Sequence, residues 1–110
     1  MSATTSCIYQ INIGEFFYVG RANDFRRRRQ RHLRFLRNGS HINHKMQTAF
    51  QELNKFKIKI LAMCPIEDLE IVEQQFLDKL CDSPMCLNIS RSASTGHESL
   101  TRKKINEKIV

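Results

Sequence analysis

The sequence predicts an α+β fold, a small three-stranded sheet flanked by helices. Three observations carry that expectation. Residues 6–12 alternate apolar and polar side chains, and after a Gly-containing turn residues 16–20 read as a returning strand, the pattern of a β-hairpin. Residues 23–39, 44–53 and 66–80 carry apolar side chains at helical spacing. Residues 56–64 alternate again and supply a third strand.

In the first strand, SCIYQIN, alternation puts Ile8 with Gln10 on one face and Cys7, Tyr9 and Ile11 on the other. Ile13-Gly14-Glu15 forms the turn, and FFYVG returns antiparallel with Phe16 and Tyr18 on one face, ending at Gly20. Tyr9 and Tyr18 converge if the register allows it. Packing is the commoner role of such a pair.

The next stretch, NDFRRRRQRHLRFLRNG (23–39), has Asn23 or Asp24 to cap its start and Gly39 where a helix commonly stops. At about 3.6 residues per turn, Leu33, Phe35 and Leu36 fall on the side of Phe25. Arg27, Arg31, Arg34 and Asn38 fall opposite, where charge is expected. Arg28 and His32 are four apart and point with the apolar residues. A guanidinium aimed at a core costs on the order of 3–5 kcal/mol unless it is paired or opens into a cleft. The mixed front of this helix is therefore the candidate active site.

NGSHIN (38–43) reads as a turn, and His44 to Leu53 as a helix with Met46, Ala49, Phe50 and Leu53 at helical spacing. FKIKILAMC (56–64) becomes fully apolar at its end, which suits a strand entering the sheet interior, and Pro65 stops it. From Ile66 to Leu80, Leu69, Val72, Phe76, Leu77 and Leu80 share a side. Glu73 lies on that stripe, while Glu67, Glu70 and Asp78 lie at its rim or beyond. A carboxylate facing a core is neutralised, paired or bound to metal. Either an ion pair with Arg28 (or Arg29) or a divalent cation satisfies Glu73. CDSPMCLNIS then reads as a turn and a short extended piece. Residues 1–90 thus form one domain, and 91–110 a flexible linker with a short basic segment, HESLTRKKINEKIV.

The net charge is +7, and eight of the 18 basic residues lie between Arg21 and Arg37. Such a concentration of arginine favours a polyanionic partner, most simply nucleic acid. The four cysteines, Cys7, Cys64, Cys81 and Cys86, include no C-x-x-C pair, so small reduced core residues are expected rather than a zinc site. No signal peptide or long apolar run is present, which predicts an intracellular, cytoplasmic protein with no membrane partner.

Taken together these pieces resemble the GIY-YIG endonuclease family, and most of all the nuclease domains of intron-encoded and free-standing homing endonucleases. Cys7-Ile8-Tyr9 matches the first motif and Tyr18-Val19-Gly20 the second. YVGRANDFRRRRQRH places the family's Arg at Arg28 and its His at His32. GSHINHKMQTAF resembles the following loop and helix, including His41; IVEQQFL places the metal-binding Glu at Glu73, and CLNIS the late Asn at Asn88. Two positions depart from the pattern: Cys7 stands for the usual Gly, and Arg21 for a usual Ser or Thr. The long recognition region of homing enzymes has no counterpart here, which implies limited site specificity.

The resemblance implies an antiparallel three-stranded sheet and a metal-dependent DNA endonuclease, nicking or cutting both strands. Its site would comprise Tyr9, Tyr18, Arg28, His32 and Glu73, supported by His41 and Asn88. Glu73 would hold Mg²⁺ or Mn²⁺, Arg28 the phosphate, and Tyr9 would act as general base, assisted by His32. No small-molecule cofactor is implied. Tyrosine has an ordinary pKa of about 10, so Tyr9 needs the metal, Arg28 and His32 to lower it. The tail also resembles a modular DNA-binding helix. Arg21, Arg27, Arg31, Arg34, Lys45, Arg102, Lys103 and Lys104 are the candidates for contacting nucleic acid. The alternative is a catalytically silent nucleic-acid-binding module that keeps the basic helix. Nothing in the sequence indicates a dimer, although double-strand cutting needs a second subunit or a reorientation.

Overall fold

The computed structural model describes residues 4–93. The basic tail with Arg102, Lys103 and Lys104, and most of the expected linker, lie outside the described residues. The chain runs β1 (Cys7–Ile13), β2 (Phe16–Ala22), α1 (Phe25–Asn38), α2 (His44–Leu53), β3 (Lys57–Met63), a single 3₁₀ turn (Ile66–Asp68) and α3 (Leu69–Leu80). The α+β class and the three-stranded antiparallel sheet are as predicted, with strand order β2-β1-β3.

The hairpin closes through Gly14-Glu15, with Ile13 opposite Phe16. Gly14 adopts φ +62°, the left-handed region in which a side chain is strained. Its partner strand does not end at Gly20 as expected. Ile8 still pairs with Arg21 and Cys7 with Ala22. Gly20 is there for space: a Cβ on it would lie 2.6 Å from Tyr9 Oη and 2.9 Å from Tyr18 Cε2. It breaks no strand; it lets two tyrosines pack against bare backbone.

Helix α1 begins and ends where its caps predict. The Asp24 carboxylate accepts from the Arg27 amide at 3.3 Å, an N-cap worth about 1 kcal/mol. Gly39 takes φ +74° at the C-terminus, with its N–H and that of Ser40 donating to the Leu36 and Phe35 carbonyls. The predicted phase holds. His32 and Leu36 are buried, and Arg28 is half-buried. Arg27, Arg31 and Arg34 are exposed.

Both faces of the sheet are covered. On one side Tyr9, Ile11 and Ile13 pack with Leu36 of α1 and Met46 and Ala49 of α2. On the other, Ile8 and Val19 pack with Leu69 and Leu77 of α3. Each such buried aliphatic side chain contributes about 1.5–3 kcal/mol. β3 is not an interior strand: it lies at the sheet edge, beside β1, with Met63 70% exposed. Its apolar end reads as interior, yet the central place belongs to β1, which pairs with β2 through all seven of its residues and with β3 through Cys7 to Asn12. The free edge of β2 is partly covered by residues 85–87, whose main chain exchanges hydrogen bonds with Phe17.

The expectation of four reduced thiols is corrected. Cys81 and Cys86 are joined in a disulfide, whereas Cys7 and Cys64 are free. The turn after α3 brings the pair together, with the Cys86 amide donating to the Ser83 carbonyl at 3.1 Å. Both remain core residues as expected. No helix among the described residues is long and apolar enough to cross a membrane.

Candidate active site

β1, β2, α1 and the loop before α2 converge on one cluster. Tyr9 lies opposite Gly20 in the hairpin, so Tyr9 and Tyr18 share a face, their ring centroids 6.4 Å apart. α1 lays His32 against both, edge-on, at 5.6 and 5.8 Å. Tyr9 Oη and His32 Nε2 are 2.7 Å apart, and His32 Nδ1 and His41 Nε2 are 2.8 Å apart. The Asn43 amide then donates to His41 Nδ1 at 3.0 Å.

That last bond sets the direction of the chain. Burial holds the His41 pKa below its ordinary 6.5, so the ring is neutral near pH 7. With Nδ1 accepting from a main-chain amide, the single proton of His41 sits on Nε2 and is donated to His32 Nδ1. A neutral His32 therefore carries its own proton on Nε2 and donates it to the Tyr9 oxygen. The tyrosine hydroxyl is an acceptor in this chain, and its hydrogen is left to point elsewhere. In this tautomer His32 steadies a negative oxygen on Tyr9; it is not positioned to take the tyrosine's proton.

Charge around the tyrosines is mixed. Burial pushes Tyr9 well above its ordinary 10.0, with the Tyr18 hydroxyl adding to the rise and the Arg28 guanidinium opposing it. Burial and the Glu73 carboxylate lift Tyr18 to about 12, against Arg28 and Arg21. Arg28 and Glu73 are thus close enough to act on both phenols from opposite signs. The Arg28 guanidinium is anchored by donation from Nη1 to the main-chain oxygen of Arg21 at 2.9 Å.

Glu73 is 1% exposed on α3, one turn after Leu69 and one before Leu77. Its ion-pair partner is neither Arg28 nor Arg29. Arg21 Nε stands 3.5 Å from Glu73 Oε1, with the two side chains 17% and 2% exposed. Arg21, expected on a nucleic-acid surface, is turned inward onto the acid. Strand alternation explains it: Val19 and Arg21 share the face of β2 that α3 covers.

Asn88 does not reach the cluster. Its side-chain amide clamps Val19, accepting from the main-chain N–H at 2.9 Å and donating to the carbonyl at 2.8 Å, and so holds β2 between Tyr18 and Gly20. Arg27, Arg31, Arg34 and Lys45 are exposed. The guanidinium groups of Arg31 and Arg34 lie over the Phe35 ring, 5.9 and 5.3 Å from its centroid. A separate groove on α1, lined by Arg29, Leu33, Arg37, Phe50, Asn54 and Phe56, contains none of the cluster residues.

Two supports are not evident from the motifs. Gln47 is buried, accepts from the His41 amide at 2.8 Å and donates to the Leu36 carbonyl at 3.0 Å. Three before Phe50, it lies on the apolar stripe of α2, the same anomaly that singles out Glu73. Asn43 caps α2 through the Met46 amide and donates to the Leu87 carbonyl, each at 3.0 Å. An Asn just before an apolar-periodic run is the available signal.

Among the described residues no three His, Cys, Asp or Glu side chains are grouped to hold a metal ion. A single buried carboxylate suits a hard divalent ion that keeps most of its waters, as Mg²⁺ does, and not a multi-ligand site such as structural zinc. Glu73 is a donor of that kind, and in this structure its counter-charge is Arg21.

No family model matches the chain. Over 73 residues, 64% of its length, the chain is 38% identical to Intron-associated endonuclease 1 of Enterobacteria phage T4, of which it spans 30%. A point mutant of the catalytic domain of intron endonuclease I-TevI superposes with a TM-score of 0.71 at 30% identity, covering 80% of this chain and 96% of that domain. A second structure of the catalytic domain of homing endonuclease I-TevI gives 0.70 at 31% identity, covering 77% and 98%. Given the near-complete coverage of that domain in fold and sequence, the chain belongs to the GIY-YIG family of homing-endonuclease-like nuclease domains.

Proposed function

We propose that the chain is a DNA endonuclease that hydrolyses phosphodiester bonds with a divalent ion, Mg²⁺ or Mn²⁺, held by Glu73. The observation that carries the reading is the chain from Asn43 through His41 and His32 to Tyr9, which aims a donor at a phenol within electrostatic reach of the half-buried Arg28 and the buried Glu73. A packed core has no need of such a constellation. The relatives supply the context of a nuclease domain.

In this reading Arg28 binds the scissile phosphate and the negative charge that builds on it, where one lost donor costs roughly 10²- to 10³-fold in rate. Tyr9 is protonated in the free protein; it ionises, losing its proton to solvent, only in the complex where a bound ion would add its charge to that of Arg28. It then takes the proton of the attacking water while that water's oxygen bonds to phosphorus and the 3′ oxygen departs. The phenolate is favoured by two groups on the page, the His32 Nε2–H and the Arg28 guanidinium, against the burial that disfavours it. Tyr18 orders the hydroxyl network beside Tyr9. A divalent ion, when bound, supplies Lewis-acid charge neutralisation to the phosphate and leaving oxygen. The exposed Arg27, Arg31, Arg34 and Lys45 would meet flanking phosphates, making binding salt-sensitive.

Incubation of supercoiled plasmid with the protein and Mg²⁺ tests this. Nicked or linear product is expected, and both chelator and Glu73→Ala should remove it. Protein that binds the plasmid but leaves it supercoiled would refute the enzyme and leave a silent binding module.

A further inference from the structure

Arg21 is the cationic side chain paired with the buried Glu73 carboxylate. Its Nε lies 3.5 Å from Oε1, longer than the roughly 2.7–2.9 Å of a charge-assisted hydrogen bond. The carboxylate is almost wholly buried at 2%, whereas the Arg21 side chain keeps 17% exposure and thus a way out to solvent. A buried carboxylate needs a counter-charge, and Arg21 provides one in the protein without metal. The main chain of the same residue accepts from Arg28 at 2.9 Å, so Arg21 is tied to both the acid and the proposed phosphate arginine.

We propose that Arg21 is a resident cation that competes with the divalent ion for Glu73 and sets the metal concentration at which the site loads. The inference rests on Glu73 as the metal ligand. A guanidinium and a divalent ion cannot share one buried oxygen at contact distance without strong repulsion. Metal therefore binds the conformer in which Arg21 has swung away, and its apparent affinity is reduced by the fraction of molecules in that conformer. A minor state populated at roughly 0.1–10% weakens apparent binding by about tenfold or more. Because the Arg21 main chain is bonded to Arg28, a phosphate held by Arg28 would be within the neighbourhood of the released guanidinium and can take it up. Metal and DNA would then load together, each favouring the state the other needs.

Mn²⁺ binding measured by the electron-paramagnetic-resonance signal of the free ion, without DNA, separates the outcomes. The proteins are wild type, Arg21→Ser, Arg21→Met, which keeps the apolar stem, and Glu73→Gln. The expected result is Mn²⁺ binding at least about tenfold tighter in Arg21→Ser than in wild type, with Glu73→Gln binding none. Arg21→Met should match Arg21→Ser, and it decides the question if the serine variant does not fold. In thermal melts both Arg21 variants should be less stable than wild type without metal, and the gap should close as Mn²⁺ is added. Unchanged affinity in both Arg21 variants, with binding still lost in Glu73→Gln, would overturn the competition and spare the metal site. Binding that survives in Glu73→Gln would overturn both.

Discussion

Helix α1 carries arginine on two different faces. On the front, Arg28 is half-buried, fixed by the Arg21 carbonyl, and close enough to shift the ionisation of Tyr9 and Tyr18. On the back, Arg31 and Arg34 are exposed, and their guanidinium groups rest on Phe35. The same functional group is held by its surroundings in one case and solvated in the other. Charge in a low-dielectric pocket acts strongly on its neighbours, and charge in water hardly at all. Four consecutive arginines therefore divide by helical phase and not by chemistry. The front also joins α1 to the rest of the molecule, since His32 is bonded to both the central strand and the loop before α2.

The largest effect expected outside Arg28 and Glu73 is at His41. Its ring directs the His32 proton towards Tyr9, so His41→Ala should slow cleavage by about 10- to 100-fold, the usual cost of losing a supporting partner, while DNA affinity stays within about threefold. His41→Asn, which can still donate to His32 Nδ1, should recover part of the rate. An unchanged rate in His41→Ala would break the front into independent parts. The same ring gives the pH dependence. Its folded pKa is depressed below 6.5, so its contribution to stability is present above pH 6.5 and is lost as pH falls through the lower folded value. Melting temperature should decline on that acid side, and the decline should be smaller in His41→Asn.

A smaller but cleaner signal comes from the phenols. The chain has two tyrosines, Tyr9 and Tyr18, and no tryptophan, so its ultraviolet phenolate band reads the front alone. Folded protein should show no phenolate up to pH 10, with Tyr18 ionising only near 12 and Tyr9 also well above 10. Both folded values are raised, so the stability they confer is complete below pH 10 and is lost as pH climbs from there towards 12. A full phenolate step at pH 10 before unfolding would mean that the front is wet.

Much of this arrangement is legible in the chain. Asp24, Gly39 and the phase of Arg28 and His32 depend on neighbours within two turns, and local rules reach that far. Glu73 is legible because a carboxylate breaks an otherwise apolar stripe. Features that depend on distant pairing are not. The apolar end of β3 reads as interior, yet its place at the sheet edge is decided by which strand β1 leaves in the middle. Arg21 reads as a surface cation beside a basic helix; only the packing of α3 on β2 turns it onto Glu73. The Cys81–Cys86 link likewise depends on the turn after α3 and carries no spacing motif. Gln47 could have been found by the reasoning that found Glu73, since it too is polar on an apolar stripe.

The division of α1 is tested most directly by measuring single-turnover plasmid cleavage and salt-dependent DNA binding on two proteins, Arg28→Ala and the double variant Arg31→Ala/Arg34→Ala. The front change should cut the cleavage rate by roughly 10²- to 10³-fold while lowering the salt slope of binding by no more than about one. The back change should leave the bound-state rate within about twofold and lower the salt slope by up to about two. Comparable losses of rate in both proteins, or an Arg28→Ala protein that cleaves normally, would contradict the account.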